Sequence, residues 1–145
     1  MRILGIDYGK KRIGLAVGDM DSKLALPLET FLSQGVRRNV DYIQNIVELK
    51  GINTIVLGMP LNMDGTQGKR AKDTLFFGNV LEKALNITVA YIDERLTSVE
   101  ANEKLKEANI AIKDRKPILD QVAAQIILQE YIDKYSTMQL KTNRK

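Results

Sequence analysis

Three residue types are missing from this 145-residue chain: it has no cysteine, no histidine and no tryptophan. Without cysteine there is no disulfide framework, no thiolate metal site and no Cys nucleophile. Without histidine, an imidazole general base, a Ser-His dyad and a His-ligated zinc site are excluded. Hydrolytic chemistry here would have to run on carboxylates, lysines, hydroxyls or a hard metal ion. Long apolar runs are lacking too, and none approaches the ~20 residues that span a bilayer. The N-terminal MRILGIDYG enters a strand at once and lacks the charged region and cleavage site of a signal peptide. The expected location is therefore the cytoplasm, with no membrane partner. Aromatics are few (Phe31, Phe76, Phe77 and five tyrosines), which argues against a broad base-stacking platform.

What is present points to one domain. A hydrophobic content of 44% in a chain of this length supports a core that buries roughly 70% of the unfolded surface. Lys plus Arg number 22 against 18 Asp plus Glu, a net charge of +4, which is compatible with a polyanionic partner. RILGIDY (2–8) and IGLAVGD (13–19) read as strands joined by GKKR, and LALPLET (24–30) as a third. Pro27 suits an edge strand, where a missing N–H is tolerated. The three runs are too close for crossover helices, so they predict an antiparallel meander. Val40, Ile43, Ile46, Val47 and Leu49 recur at helical spacing over 36–50, and Gly51 ends that run as a C′ residue would. NTIVLGMP (53–60) and ITVAYID (87–93) read as buried strands, with a helix over about 68–85 between them. Thr97 and Glu100 have capping-box spacing for a helix to about Asn109. IAIKDRKPIL reads as a loop, and a last helix follows over about 120–135. Residues 138–145 read as a basic, flexible tail on a single domain of residues 1–137. The order predicts an α/β fold. Its five-stranded mixed sheet is flanked by helices on both faces, with the first, fourth and fifth strands parallel.

Three acids stand where apolar residues or turns would be expected. Asp7 sits in a central strand, where an ionised carboxylate costs several kcal/mol unless paired, hydrogen-bonded or metal-bound. It also fits the strand end, where it would accept N–H groups from the hairpin turn. Asp93-Glu94 ends the ITVAYID strand, at the edge where open α/β sheets place ligands, and neighbouring strand residues point to opposite faces. Asp120 opens the last helix. At ~100° per residue, Ala123, Ala124, Ile127, Leu128 and Tyr131 fall within about 80° of it, so it lies along the buried stripe; an N-cap role would equally suit its position. Three such acids, from mid-sheet, strand end and helix, could meet at one point. Converging carboxylates raise one another's pKa unless a divalent cation neutralises them. Oxygen-only ligands suit Mg²⁺ or Mn²⁺, and two such ions can drive phosphodiester cleavage without histidine.

GIDYGKKRIGLAVGD, VLGMPLNMDGTQGKRA, DERLTS and LDQVAAQIIL, in that order, resemble the YqgF/RuvX family over residues 2 to about 131. That family is described as resolvase-like or pre-16S ribosomal RNA processing nucleases with a ribonuclease H-like fold. The resemblance implies a metal-dependent endonuclease that processes the 5′ end of precursor 16S ribosomal RNA. The alternative is a Holliday junction resolvase acting on branched DNA. It implies Asp7, Glu94 and Asp120 as the catalytic, metal-binding acids. Relative to RuvC-like junction resolvases, the chain departs twice. Gly58-Met59-Pro60 stands where those have an acid after the fourth strand, and Pro117 where they have one a turn earlier in the last helix. One metal ion or two, RNA or branched DNA, and monomer or homodimer stay open at this point.

Basic clusters flank the motifs: Lys10-Lys11-Arg12, Lys69-Arg70-Lys72 and Lys113-Arg115-Lys116. Such clusters contact phosphates without reading sequence, or simply solvate loops. Lys10, Lys11, Arg12, Asn62, Lys69, Arg70, Arg95 and Thr97 form the expected substrate-binding set. GTQGKRA could also present helix N–H groups to a phosphate. It is not a P-loop, because the first glycine position falls on Met63 and Arg70 replaces Ser/Thr. Two rivals remain. GIDYG with its hairpin also resembles the first phosphate motif of sugar kinases and actin, which close two lobes on ATP where this chain supplies one. A catalytically silent nucleic-acid-binding domain on the same fold is the other.

Overall fold

Period-two alternation along the first two strands places bulky residues on one face of the sheet and small ones on the other. In the computed structural model these are β1 (Arg2–Tyr8) and β2 (Arg12–Asp19), followed by β3 (Leu24–Leu32), α1 (Val36–Lys50), β4 (Ile52–Met59), α2 (Lys69–Leu85), β5 (Thr88–Asp93) and α3 (Arg115–Asn143). The structure describes residues 1–94, 103–104, 106–107 and 115–143; within α3 it describes side chains for 118–136. The strands form one sheet in the order β3-β2-β1-β4-β5. β1, β2 and β3 pair antiparallel, while β1–β4 and β4–β5 pair parallel. The expected meander followed by two parallel strands is the observed topology. Pro27 lies on the edge strand, beside a register shift between Leu15 and Ala16.

Helices cover both faces, as the element order implied. Leu4, Ile6, Ile13, Leu15, Ile55 and Leu57 form one core with Val40, Ile43 and Ile46 of α1 and Phe77 and Leu81 of α2. Tyr8 completes that layer, stacked on Phe77 with ring centroids 4.1 Å apart. On the opposite face Ile3, Ala16, Ala25, Val56 and Ile92 pack against Ala124, Ile127, Leu128 and Ile132 of α3. α1 ends where its periodicity ends: Gly51 is left-handed at φ 64° and its N–H donates to the Val47 carbonyl. The buried Asn39 secures the other end, accepting from the Gln34 N–H and donating to Ser33 Oγ.

The last helix corrects two expectations. It begins at Arg115, so the second half of IAIKDRKPIL is helical, and it runs to Asn143 through most of the expected tail. Pro117 does not stop it, because first-turn N–H groups have no intrahelical partner and proline loses nothing there. Beyond Tyr135 the sequence offers neither Gly nor Pro, and Met, Gln, Leu and Lys propagate a helix readily. Of the helix expected from Thr97 to about Asn109, Glu103, Lys104, Lys106 and Glu107 are described, and all four are helical. Thr97 and Glu100 lie outside the described residues.

α3 approaches the sheet unusually closely because β1 and β2 present small residues beneath it. A Cβ on Gly5 would stand 2.7 Å from Leu128 Cβ, and one on Gly14 would collide with the backbone carbonyl of Asp120. Gly14 pairs with Asp7 across β1 and β2, so the same close approach sets the height of Asp120 over Asp7. Gly14→Ala is therefore expected to lift the start of α3. Overpacking of this kind costs about 1–3 kcal/mol, to be read as a lowered urea midpoint.

Candidate active site

β1 alternation puts Asp7 on the α3 face, two residues beyond Gly5, while Ile6 and Tyr8 face α1 and α2. The β5 register extends the same logic. Ala90 and Ile92 face α3, so the next residue of that parity, Glu94, turns to the same side. Asp93 is exposed, which resolves which member of the pair faces inward. The Glu94 N–H donates to the Met59 carbonyl, fixing the chain just past β5. Its carboxylate lies against Gly58, where a Cβ would strike Oε2. Gly58 thus makes room for an acid delivered by the neighbouring strand.

Asp7, Glu94 and Asp120 line one open cleft of about 530 Å³ at the carboxyl ends of β1, β4 and β5, together with Pro60, Lys69 and Arg70. Asp7 and Glu94 face each other closely enough that a proton on one carboxyl can bridge to the other. Burial first, and then the Asp120 charge, raise Asp7 from 3.8 to about 6; Arg70 opposes the shift. Burial and then the Asp7 charge raise Glu94 from 4.5 to about 8, again against Arg70. Burial and mutual repulsion thus both favour retention of a proton by the pair. Asp120 stands apart from that pair. Its Oδ2 accepts from Arg12 Nε at 2.8 Å, with the two side chains 21% and 33% exposed. Among the described residues, no three acids stand at ligating distance of one point. The three expected acids share the cleft, but only two of them touch.

The basic residues divide in the same way. Lys69 and Arg70 open α2 directly on the cleft, behind Gly68 as N-cap, with no acid in the first turn and no side-chain cap. That turn sets its N–H groups beside the two cations, a combination that favours an anion. Asn62 lines the cleft and also braces its loop, donating from Nδ2 to Thr66 Oγ1 at 3.0 Å. Arg12 is engaged by Asp120 rather than free for a phosphate. Lys10 and Lys11 are exposed at the hairpin, Lys10 lining an adjoining cavity. Arg95, Thr97 and Lys113 lie outside the described residues, as do the side chains of Arg115 and Lys116. Gly14 and Gly58, not among the expected site residues, matter because their lack of a side chain lets Asp120 and Glu94 in. A glycine facing the core in a strand is a signal of close approach.

Residues 1–134 match the RuvX family, described as Holliday junction resolvase. A relative from Halothermothrix orenii, named "Putative pre-16S rRNA nuclease", is 41% identical over 133 residues, which is 92% of this chain and 95% of that protein. One of the same name from Heliobacterium modesticaldum is 38% identical over 145 residues, covering 100% of this chain and 97% of its own. Among solved structures, Thermus thermophilus RuvC in complex with Holliday junction substrate superposes with a TM-score of 0.62 at 14% identity, covering 95% of this chain and 96% of that one. Fowlpox virus resolvase in complex with its substrate Holliday junction DNA gives 0.59 at 12% identity, with 93% and 99% covered. These two likenesses show the fold alone, a ribonuclease H-like one. By its family match and its identity to relatives across nearly their whole length, the chain belongs to the RuvX (YqgF) family of nucleases.

Proposed function

We propose that this protein is a divalent-metal-dependent endonuclease that hydrolyses phosphodiester bonds in precursor 16S ribosomal RNA, in the cytoplasm. The observation that carries the reading is the Asp7–Glu94 pair, two acids held against each other at the floor of a cleft rimmed by Lys69 and Arg70. Two carboxylates forced to share a proton suit a dication, which relieves their repulsion better than the proton does. The donor set is all oxygen, which favours Mg²⁺ or Mn²⁺ over softer ions. Asp7 and Glu94 would hold the ion, and Asp120 would join them on leaving Arg12. A bound dication supplies positive charge to the attacking water and to the leaving oxygen of the phosphodiester. Lys69, Arg70 and the α2 N-terminus grip the phosphate, and Arg12, once released, adds a further donor beside it.

The RNA assignment draws on the named relatives. Against the junction alternative stands the lack of an acid at the carboxyl end of β4, where Gly58 stands and Glu94, just past β5, fills the space beside it. A structured precursor RNA and a four-way DNA junction, offered in parallel with Mg²⁺, with Mn²⁺ and with EDTA, separate the two. Cleavage of the RNA alone, abolished by EDTA, is the expected result. Cleavage of the junction alone would replace this reading with the resolvase one.

A further inference from the structure

Beside the carboxylate cleft lies a second cavity of about 400 Å³, on the α1/α2 side of the end of β1. The two are not independent, since Gly9, Lys69 and Arg70 line both. The second has a different chemistry. Its walls include Tyr8 and Phe76, its rim carries Lys10 with Lys69 and Arg70, and Asp73 reaches into it. Tyr8 is fixed by its stack on Phe77. Phe76, one residue earlier on α2, is 60% exposed while Phe77 is fully buried. Adjacent helical positions point about 100° apart, so the Phe-Phe pair sends one ring to the core and the other to the cavity. A large apolar ring left in water beside a basic rim forgoes burial and offers a flat face to a ligand.

We infer that this cavity is a base-binding subsite, which takes one unpaired nucleotide of the RNA next to the phosphate held at Lys69 and Arg70 and stacks its base on Phe76. The occupant follows from the walls. A ligand that spans both cavities must be anionic where it passes Lys69 and Arg70 and planar and apolar where it meets Phe76. It must also carry an N–H edge to suit the Asp73 carboxylate. A nucleotide with its flanking phosphate has all three features. The space suits one flipped or unpaired base, in the lower range of roughly 300–1,000 Å³ for small-ligand sites. Paired bases would keep both faces inside the duplex and leave Phe76 in water. The subsite thus selects RNA with an unpaired residue at the cut, a discrimination that phosphate contacts alone do not provide.

This inference rests on the nuclease reading, and its test separates the two. RNA hairpins with a single-stranded 5′ flank are made with 2-aminopurine at each flank position in turn, and with an abasic residue at the same positions. Binding to the full chain is followed by fluorescence in EDTA, so that cleavage plays no part. With the wild-type protein, one position is expected to show strong stacking quench. Phe76→Ala loses that quench and weakens binding roughly tenfold, the usual scale of one base–aromatic stack, while Phe76→Trp retains both. The RNA abasic at that position binds wild type and Phe76→Ala alike, which a merely structural role for Phe76 would not produce. Equal affinity of wild type and Phe76→Ala for the intact RNA, with unchanged quench, overturns the subsite and leaves the nuclease reading standing. Failure of the wild-type chain to bind any of these RNAs overturns the subsite, while cleavage of the RNA with Mg²⁺ tests the nuclease reading separately.

Discussion

Asp7→Asn is expected to reduce RNA cleavage by more than about a hundredfold, since partners that merely orient metal ligands already cost 10–100-fold when removed. The same substitution should leave the fold intact. Asp7 is embedded between Gly5 and the β1–β2 hairpin, paired with Gly14 across the ladder, and asparagine matches its shape. An amide there can donate to Glu94, so the hydrogen bond survives with its direction reversed while the repulsion disappears. Activity and stability therefore move in opposite directions. A loss of both would mean that Asp7 is a structural acid, and full activity would remove it from the mechanism. Single-turnover cleavage and urea unfolding of the same preparation read the two effects.

The second large effect is in stability against pH for the metal-free protein. Both acids have folded pKa values raised above the unfolded ones, Asp7 to about 6 and Glu94 to about 8. Protonation is then favoured by folding. The contribution is fully present below about pH 4, where both states are protonated at these sites. It is lost as pH rises through about 6 and then about 8, because the folded state must ionise a crowded pair that the unfolded chain ionises freely. Between pH 4 and pH 9 the metal-free protein should lose on the order of a few kcal/mol at this site. Glu94→Gln should flatten that dependence, and Mn²⁺ should restore stability in the wild type at alkaline pH by binding the folded state alone. Urea midpoints across the range, with and without Mn²⁺, measure each part. A wild-type profile that does not fall between pH 5 and 9 would mean that the two carboxylates do not confront each other.

The fold was largely legible in the sequence because its signals are local. Strand alternation, the Gly51 cap and the short links between the first three strands dictate the meander and α1. The ends of α3 were not legible, because Pro117 breaks a helix interior but not a first turn, and position within a helix cannot be known before its start is known. The site was legible as a set of acids and not as a geometry. Glu94 could be separated from Asp93 once Ile92 was known to face α3, since strand parity carries through. The pairing of Arg12 with Asp120, 108 residues apart, depends on how closely α3 sits over Gly14. No local pattern contains that distance. Phe76 was visible as half of an aromatic pair, but which ring faces the core is decided by the roll of α2.

On binding a divalent cation, Asp7 and Glu94 are expected to give up the proton that their crowding favours. Calorimetric titration of the nucleic-acid-free protein with Mn²⁺ at pH 7, repeated in buffers of different ionisation enthalpy, counts the protons released on binding. A saturable Mn²⁺ site that releases about one proton is expected, because the pair must be deprotonated to ligate, with binding lost in Asp7→Asn and in Glu94→Gln. Undiminished Mn²⁺ binding in both variants, or binding without proton release in the wild type, would contradict it.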